Sequence, residues 1–254
     1  MNNPTLDLIH EHVSVRHYKT DPLPISVIET IIAAAQCAST SSNLQTYSVV
    51  AVMDPIKRVY LSELCGNQVH IREAPVLLAW CADLARLERI CQLRGYNQVT
   101  EYAENFLIAA VDVSIAAQNA ALAAESLGLG ICYIGSIRNN PVEVIDLLGL
   151  PRLTFPITGM TLGWPDNQAH IKARLPLQSV LHWETYGDAA DNCLHTYDAA
   201  MIATGIYKRR QVPVPGRPEE MEDYGWMEHS ARSVSQAVRT ELRTALERQG
   251  FSLK

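Results

Sequence analysis

The stretch that decides the fold is residues 104–127, ENFLIAAVDVSIAAQNAALAAESL, a long and mostly apolar segment. Its apolar residues fall on nearly every face of a helix, which predicts a helix buried all round. Five polar residues interrupt it: Glu104, Asp112, Gln118, Asn119 and Glu125. Because each of them is costly in lipid, we expect the core helix of a soluble protein and no membrane span.

Short β-branched or apolar runs on both sides of this helix predict strands. They are Tyr47–Val52, Pro75–Cys81, Ile131–Ile134 and Phe155–Leu162. Helices are predicted at 5–11, from Ser26 (a capping box with Glu29) to about residue 38, at 56–64 and at 141–148. Strands and helices alternate without the even rhythm of a parallel sheet. The predicted class is therefore α+β, with a mixed or antiparallel sheet around the hydrophobic helix and further helices flanking it.

Three further features concern boundaries and assembly. Pro156 favours an edge or entry position for its strand. The run 213–218, PVPGRP, resembles a linker, and Ser230–Gly250 predicts a C-terminal helix. The long Ala-rich helix has more apolar surface than one globule easily covers, which favours a homodimer.

Charge and cysteine usage limit the classes of function. The 254 residues carry 21 Lys and Arg against 27 Asp and Glu, a net charge of −6, which argues against nucleic acid as a partner. Six cysteines form neither a C-x-x-C pair nor a zinc spacing, so we expect reduced core cysteines and no metal site. The first residues show no apolar signal region, and we expect a cytoplasmic protein.

Two small cationic clusters are candidate binding segments. Residues 12–18 read HVSVRHY and residues 170–174 read HIKAR. They are either solvated surface or two halves of one site for a small anion. In the second cluster Lys172 and Arg174 point the same way only if the backbone is extended.

Two other motifs have both a structural and a functional interpretation. The glycines at 128, 130 and 135 follow a helix and open a strand, the reverse of a dinucleotide-binding fingerprint. Gly128 is predicted to close the helix, whereas Gly135 serves either a turn or the close approach of a ligand. The polar run Ser39–Asn43 either caps a helix end or offers donors and acceptors to a polar planar ligand.

In order along the chain, these segments resemble the nitroreductase superfamily, most closely its NADPH-dependent, oxygen-insensitive nitroreductases and NADPH–FMN oxidoreductases. The resemblance covers residues 5–187 closely and the rest loosely. It is carried by His12-x-Ser14-x-Arg16, residues 39–45 (STSSNLQ), Gly66-x-Gln68, residues 117–140, Leu162-Gly-Trp-Pro165 and Lys172-x-Arg174-Leu-Pro176.

The resemblance implies an FMN site shared across a dimer interface. His12, Ser14, Lys172 and Arg174 would hold the phosphate, and Arg16 the phosphate or the flavin edge. Gln68 would form a hydrogen bond with the pyrimidine side of the flavin ring. Four residues would pass along the ring near its reactive nitrogen: Tyr133, Ile134, Gly135 and Ser136. Thr40, Ser41 and Asn43 would come from the partner subunit. The close branch usually has Arg where this chain has Val13, so one phosphate contact is absent.

The implied function is an FMN-dependent NAD(P)H oxidoreductase that passes two electrons to nitroaromatics, quinones or free flavin by a ping-pong mechanism. No catalytic side chain is expected, because the hydride chemistry belongs to FMN. The implied domains are an FMN-binding part, 1–187, and a C-terminal excursion, 188–254, in which Arg209 and Arg210 would bind NADPH in preference to NADH. Two alternatives stay open: a flavin enzyme of the same fold with another acceptor, such as a dehalogenase, and a non-enzymatic flavin carrier or redox regulator.

Overall fold

The computed structural model of the chain describes residues 3–167, 170–187 and 191–254. Packing divides it into two compact units. The first unit comprises Met1–Ala169 and Arg239–Lys254, and the second comprises His170–Val238. This packing boundary differs from the predicted functional boundary at 187/188, and residues 188–190, where the predicted excursion begins, lie outside the described residues.

The first unit contains most of the helices and one four-stranded sheet. Its helices are α1 (Pro4–His10), α2 (Ile25–Gln36), α3 (Pro55–Leu64), α4 (Val69–Glu73), α5 (Ala85–Arg94), α6 (Ala103–Ser126) and α7 (Pro141–Leu148). Its strands are β1 (Tyr47–Val52), β2 (Val76–Asp83), β3 (Gly130–Ile134) and β4 (Thr154–Gly163). The strands are ordered β1-β2-β4-β3, and all neighbours are antiparallel. The predicted α+β class is confirmed.

The core lies between this sheet and α6. All eight residues of β2 are buried, and α6 packs against β2 and α2. Six buried alanines on α6 let the helix approach closely: Ala109, Ala116, Ala117, Ala120, Ala121 and Ala124. By length and composition alone α6 is apolar enough to cross a membrane. Its packing between sheet and helix is that of a core helix.

The prediction that α6 is buried all round was wrong. Leu107, Val111 and Ile115 are 58%, 45% and 40% exposed. They are spaced four residues apart, so they form one stripe along the helix. The apolar periodicity alone does not distinguish burial within one chain from an apolar face that a single chain leaves uncovered.

One local prediction in this unit needs correction. Helix α2 begins at Ile25 with Pro24 as its N-cap, and Ser26 makes no capping bond. The fixed φ of proline suits a helix start, which moves the start ahead of the serine.

Pro156 has the predicted entry position, as the third residue of β4. Strand β4 lies between β2 and β3, but its pairing with β3 covers only Gly159–Gly163, so within the sheet Pro156 pairs with β2 alone. The register shift opposite Trp80/Cys81 lies beside the proline, and a bulge of this kind locally releases the ladder.

The second unit and the C-terminal residues also differ from the predictions. The second unit contains α8 (Asp191–Ala203), a hairpin of β5 (Gln211–Val214) and β6 (Arg217–Asp223), and α9 (Trp226–Val234). The supposed linker at 213–218 is thus a hairpin that turns at Gly216 with φ +78°. The predicted C-terminal helix is interrupted between α9 and α10 (Leu242–Arg248), where Arg239 is left-handed and cannot continue a helix. Helix α10 packs on α7 in the first unit.

Candidate functional site

The segment 12–16 runs alongside the sheet at its β3 edge. Ser14 forms a parallel bridge with Ile131, and the Val15 amide donates to the Ile131 carbonyl at 2.8 Å. The approach requires a glycine at 130, because a Cβ there would lie 2.6 Å from the Cβ of Val15. The cationic segment is therefore held beside β3, whose last residues lead into the predicted ligand run 133–136.

Gln68 contacts the chain just past the carboxyl end of β3. Its side-chain amide donates to the Ser136 hydroxyl at 2.5 Å and to the Cys65 carbonyl at 2.8 Å. The Ser62 hydroxyl donates to the Gln68 carbonyl at 2.8 Å, which fixes the backbone. Two predicted site residues, 68 positions apart, are thus in direct contact.

The charge of Arg16 acts on a residue of α4, the helix that begins next to Gln68. The α4 residue His70 is buried, and its Nε2 has no hydrogen-bond partner among the described residues. Burial lowers the pKa of His70, and the nearby charges of Arg16 and His17 lower it further. Arg16 therefore lies close to the helix that Gln68 caps. Sequence reasoning gave no role to His70.

Gly135 has a conformation that any residue can adopt. Its φ is not positive, and an added Cβ would meet only the Arg138 Nη2, at an ordinary 3.7 Å. Turn geometry therefore does not require glycine here, in contrast to Gly128, which closes α6 with φ +78° as predicted. An unobstructed backbone at the end of β3 favours the close approach of a ligand.

The loop at residues 40–46 is fixed by a buried carboxylate that the sequence reading did not select. Asp112 of α6 accepts hydrogen bonds from the Ser41 amide at 2.9 Å, the Thr46 amide at 3.1 Å and the Thr46 hydroxyl at 2.8 Å. Within the loop Ser42, Asn43 and Gln45 all have positive φ. Such backbone strain is uncommon outside functional loops and persists only where the surroundings enforce it.

Two further polar residues of α6 bind the other site segments. Gln118 accepts a hydrogen bond from the Tyr133 hydroxyl at 3.3 Å, and the Glu125 Oε1 lies 2.6 Å from the His12 Nδ1. Burial raises the pKa of Glu125, and its contact with His12 opposes that shift. The available signal for Asp112, Gln118 and Glu125 was their polarity in an otherwise apolar helix, because buried polar groups require partners.

The three polar residues of α6 that hold these segments do not all lie on the same side of the helix. With about 100° per residue, Gln118 and Glu125 lie about 20° apart around the α6 axis. Asp112 lies about 120–140° away from both. Within one chain, the loop at 40–46 is therefore anchored to a different side of α6 from the segments that meet at β3.

The second unit has its own cleft, of about 680 Å³. Aromatic and basic residues line it: Lys172, Tyr197, Tyr207, Lys208, Arg210, Tyr224, Trp226 and His229. The Arg210 guanidinium lies 4.2 Å from the centre of the Tyr224 ring, and Tyr197 packs edge-on against Trp226. Both rings and cations suit a nucleotide, which has an aromatic base and anionic groups.

The remaining predicted site residues are also in this unit. Arg209 is exposed and is not among the residues that line the cleft. Arg174 folds back on its own segment, where its Nη1 donates to the Lys172 carbonyl at 2.8 Å. The cleft wall at α9 is fixed by Asp198, which accepts from the Met227 amide at 2.8 Å.

Comparison with known proteins gives a consistent result. Residues 9–164 match the family model "Nitroreductase family", and residues 172–254 match "Nitroreductase family, C-terminal domain". The chain is 36% identical over 254 residues to the FMN reductase (NADPH) of Bacillus subtilis, covering 99% of each. It is 34% identical to the oxygen-insensitive NADPH nitroreductase of Salmonella typhimurium, covering 99% of this chain and 100% of that one.

Among solved structures, the NADPH:FMN oxidoreductase of Vibrio harveyi in complex with NAD+ superposes with a TM-score of 0.87. It is 34% identical, and the match covers 99% of this chain and 100% of the other.

Proposed function

The chain belongs to the nitroreductase family and is an FMN-dependent NAD(P)H oxidoreductase, and we propose that its FMN lies along β3. One observation supports this location: segments far apart in sequence flank β3, with Ser14 beside its second residue, Ile131, and Gln68 bonded to Ser136 just past its last residue. The electron acceptors we propose are nitroaromatics, quinones and free flavin.

The residues at this location fit such a cofactor. Ser14 and Arg16 offer a hydroxyl and a guanidinium to the phosphate, and Gln68 offers an amide to the polar edge of the ring. The bare backbone at Gly135 gives the flat ring room to approach. His12 completes the first segment, and we propose Lys172 and Arg174 as further cations for the same phosphate.

FMN, when bound, supplies the two-electron chemistry that the side chains lack. The chain then has to bind and orient the cofactor, and its residues suit that task. Segment 12–16 is fixed by the β3 ladder, and Gln68 is fixed by Ser62, Cys65 and Ser136. We propose that no side chain acts as a dedicated acid or base.

We propose a homodimer in which the loop at 40–46 completes the partner's site through Thr40, Ser41 and Asn43. The support is twofold. The loop is anchored on the other side of α6 from the β3 site, and the stripe of Leu107, Val111 and Ile115 is exposed on that helix. Sedimentation at low micromolar concentration tests this: a monomer with full FMN occupancy would contradict the shared site. We also propose a cytoplasmic location, because a reducing compartment suits the scattered cysteines of the sequence.

The oxidoreductase activity has a direct test with the purified protein. We expect FMN to copurify and its visible absorption to bleach when NADPH is added without oxygen, because reduced flavin lacks that band. A nitroaromatic or quinone should restore the band. Absence of bleaching with either NADPH or NADH would instead indicate a flavin carrier, and restoration only by other oxidants would remove the proposed acceptors.

NADPH preference should depend on the cleft of the second unit. Arg210→Ala is expected to raise the Michaelis constant for NADPH about tenfold, because a charge-assisted bond to the ribose phosphate contributes about 1.5–3 kcal/mol. The constant for NADH should hardly change, and added salt should reproduce part of the effect by screening.

Two further arginine variants serve as comparisons for Arg210→Ala. Arg209→Ala tests the other predicted contact, and we expect a smaller effect because Arg209 does not line the cleft. Arg217→Ala removes the same charge from the hairpin, where Arg217 pairs with Glu220, and should change neither constant. An equal loss with both nucleotides in Arg210→Ala would rule out recognition of the phosphate.

A further inference from the structure

The pair formed by His12 and Glu125 is the feature of the site that the family resemblance does not explain. The two side chains are 113 positions apart, and the Nδ1 of His12 lies 2.6 Å from the Oε1 of Glu125. Glu125 is 11% exposed, and its second oxygen, Oε2, is buried without a hydrogen-bond partner among the described residues. The contact joins segment 12–16, which follows α1, to the last turn of α6.

A purely structural role does not account for this buried carboxylate. A buried charge with one unpaired oxygen opposes folding, and an apolar side chain of similar size usually serves packing equally well or better. Burial indeed raises the pKa of Glu125, and only the His12 contact opposes that shift. The carboxylate is therefore best explained by what it does to the imidazole.

We propose that Glu125 is a positioning residue that holds the His12 ring with its Nε2 edge aimed at the phosphate of FMN, an inference that rests on the cofactor location proposed above. In this arrangement one hydrogen is shared between the His12 Nδ1 and the Glu125 carboxyl group, and Nε2–H donates to a phosphate oxygen. A ring whose only hydrogen lay on Nδ1 would present a lone pair to the phosphate instead. A carboxyl group behind the ring fixes its orientation.

The other titratable groups near the pair do not replace it. Tyr133 faces Glu125 from β3, and burial together with the Glu125 charge raises the Tyr133 pKa, so the phenol stays neutral at neutral pH. Glu11, at the end of α1, lines the same 340 Å³ cleft as Glu125 but is exposed to solvent. Arg16, further along the segment, acts electrostatically on His70 of α4.

The test is FMN affinity measured at pH 7.5, where the phosphate is mostly a dianion. Glu125→Gln keeps the shape of the side chain and its hydrogen bond but removes the charge. We expect its dissociation constant for FMN to rise about tenfold, since one charge-assisted contact is weakened.

Matched controls separate this role from a structural one. Glu104→Gln removes the same charge from the exposed start of α6, about 30 Å away along the helix, and should behave as wild type. Glu125→Asp keeps the charge and should retain most of the FMN affinity. Riboflavin, which has no phosphate, should bind all these variants equally. In a His12→Ala background, Glu125→Gln should have no further effect on FMN.

Each outcome bears on a definite statement. Wild-type FMN affinity in Glu125→Gln would overturn the proposal, as would equal losses of FMN and riboflavin affinity, which indicate a structural role. Unchanged FMN affinity in His12→Ala would also overturn it while leaving the β3 location intact. Failure of the wild-type protein to bind FMN at all would refute the proposed function itself, and the proposal with it.

Discussion

Replacing Asp112 with alanine is expected to lower the free energy of unfolding by about 4 kcal/mol. The carboxylate accepts three hydrogen bonds from Ser41 and Thr46, and both the acceptor and Thr46 are buried. Each buried donor left without a partner costs about 1–3 kcal/mol, and part of that loss is offset because a buried charge is also removed. In a chain of this size the melting temperature should fall by about 8–16 °C.

Asp54 provides a matched control for this prediction. Its carboxylate also accepts two backbone amides, from Ile56 and Lys57, but at the exposed start of α3. Asp54→Ala should cost only about 1 kcal/mol, the usual contribution of an exposed cap. Thermal unfolding followed by circular dichroism compares the two. Equal losses would mean that Asp112 does no more than an ordinary cap, and retained FMN in Asp112→Ala would separate the loop from the cofactor site.

Gly130→Ala should weaken FMN binding more than a hundredfold. The new Cβ would lie 2.6 Å from the Cβ of Val15, an atom that cannot move without its backbone. Segment 12–16 must therefore shift away from β3, which removes the Ser14 and Arg16 contacts together, a loss of about 3 kcal/mol or more in binding. The overpacking itself should cost about 1–3 kcal/mol of stability. Fluorescence titration with FMN and a melting curve measure the two effects.

Two variants test the mechanism of this loss. Val15→Gly in the Gly130→Ala background removes the clashing atoms and should restore part of the FMN affinity. Gly135→Ala meets only the Arg138 Nη2 at 3.7 Å, so it should leave the melting temperature unchanged and still reduce FMN affinity. Full affinity in Gly130→Ala would show that segment 12–16 does not hold the cofactor.

The sequence was sufficient for elements whose residues follow a regular period. Strand Tyr47–Val52 and helix Pro141–Leu148 have the predicted bounds, because β-branched alternation and a proline at the helix start are local signals. The hairpin at 211–223 was missed because β5 is short, β6 is exposed throughout and both strands contain a proline, so neither burial nor propensity marks them clearly. The start of α2 was misplaced because a proline cap competes with a serine cap in the same three residues.

The site was predictable only in part, for a different reason. The segments 12–16, 68 and 133–136 could be selected from the resemblance, and in the structure Ser14 lies beside β3 while Gln68 contacts Ser136 just after it. Asp112 and Glu125 were visible only as polar residues in an apolar helix. Their partners lie 66 to 113 positions away, and no local pattern specifies such a contact.

The parallel pairing of segment 12–16 with β3 also has a consequence for the order of events during synthesis. His12 leaves the ribosome early, but Glu125 follows it by 113 positions. At about 5–20 residues per second, the segment waits about 6–20 s for its partner strand and helix. During that interval its cations are exposed to the cell without a ligand or a sheet edge. With FMN at the location we propose, the nascent chain captures it only after β3 has emerged, which makes cofactor loading a late step of folding.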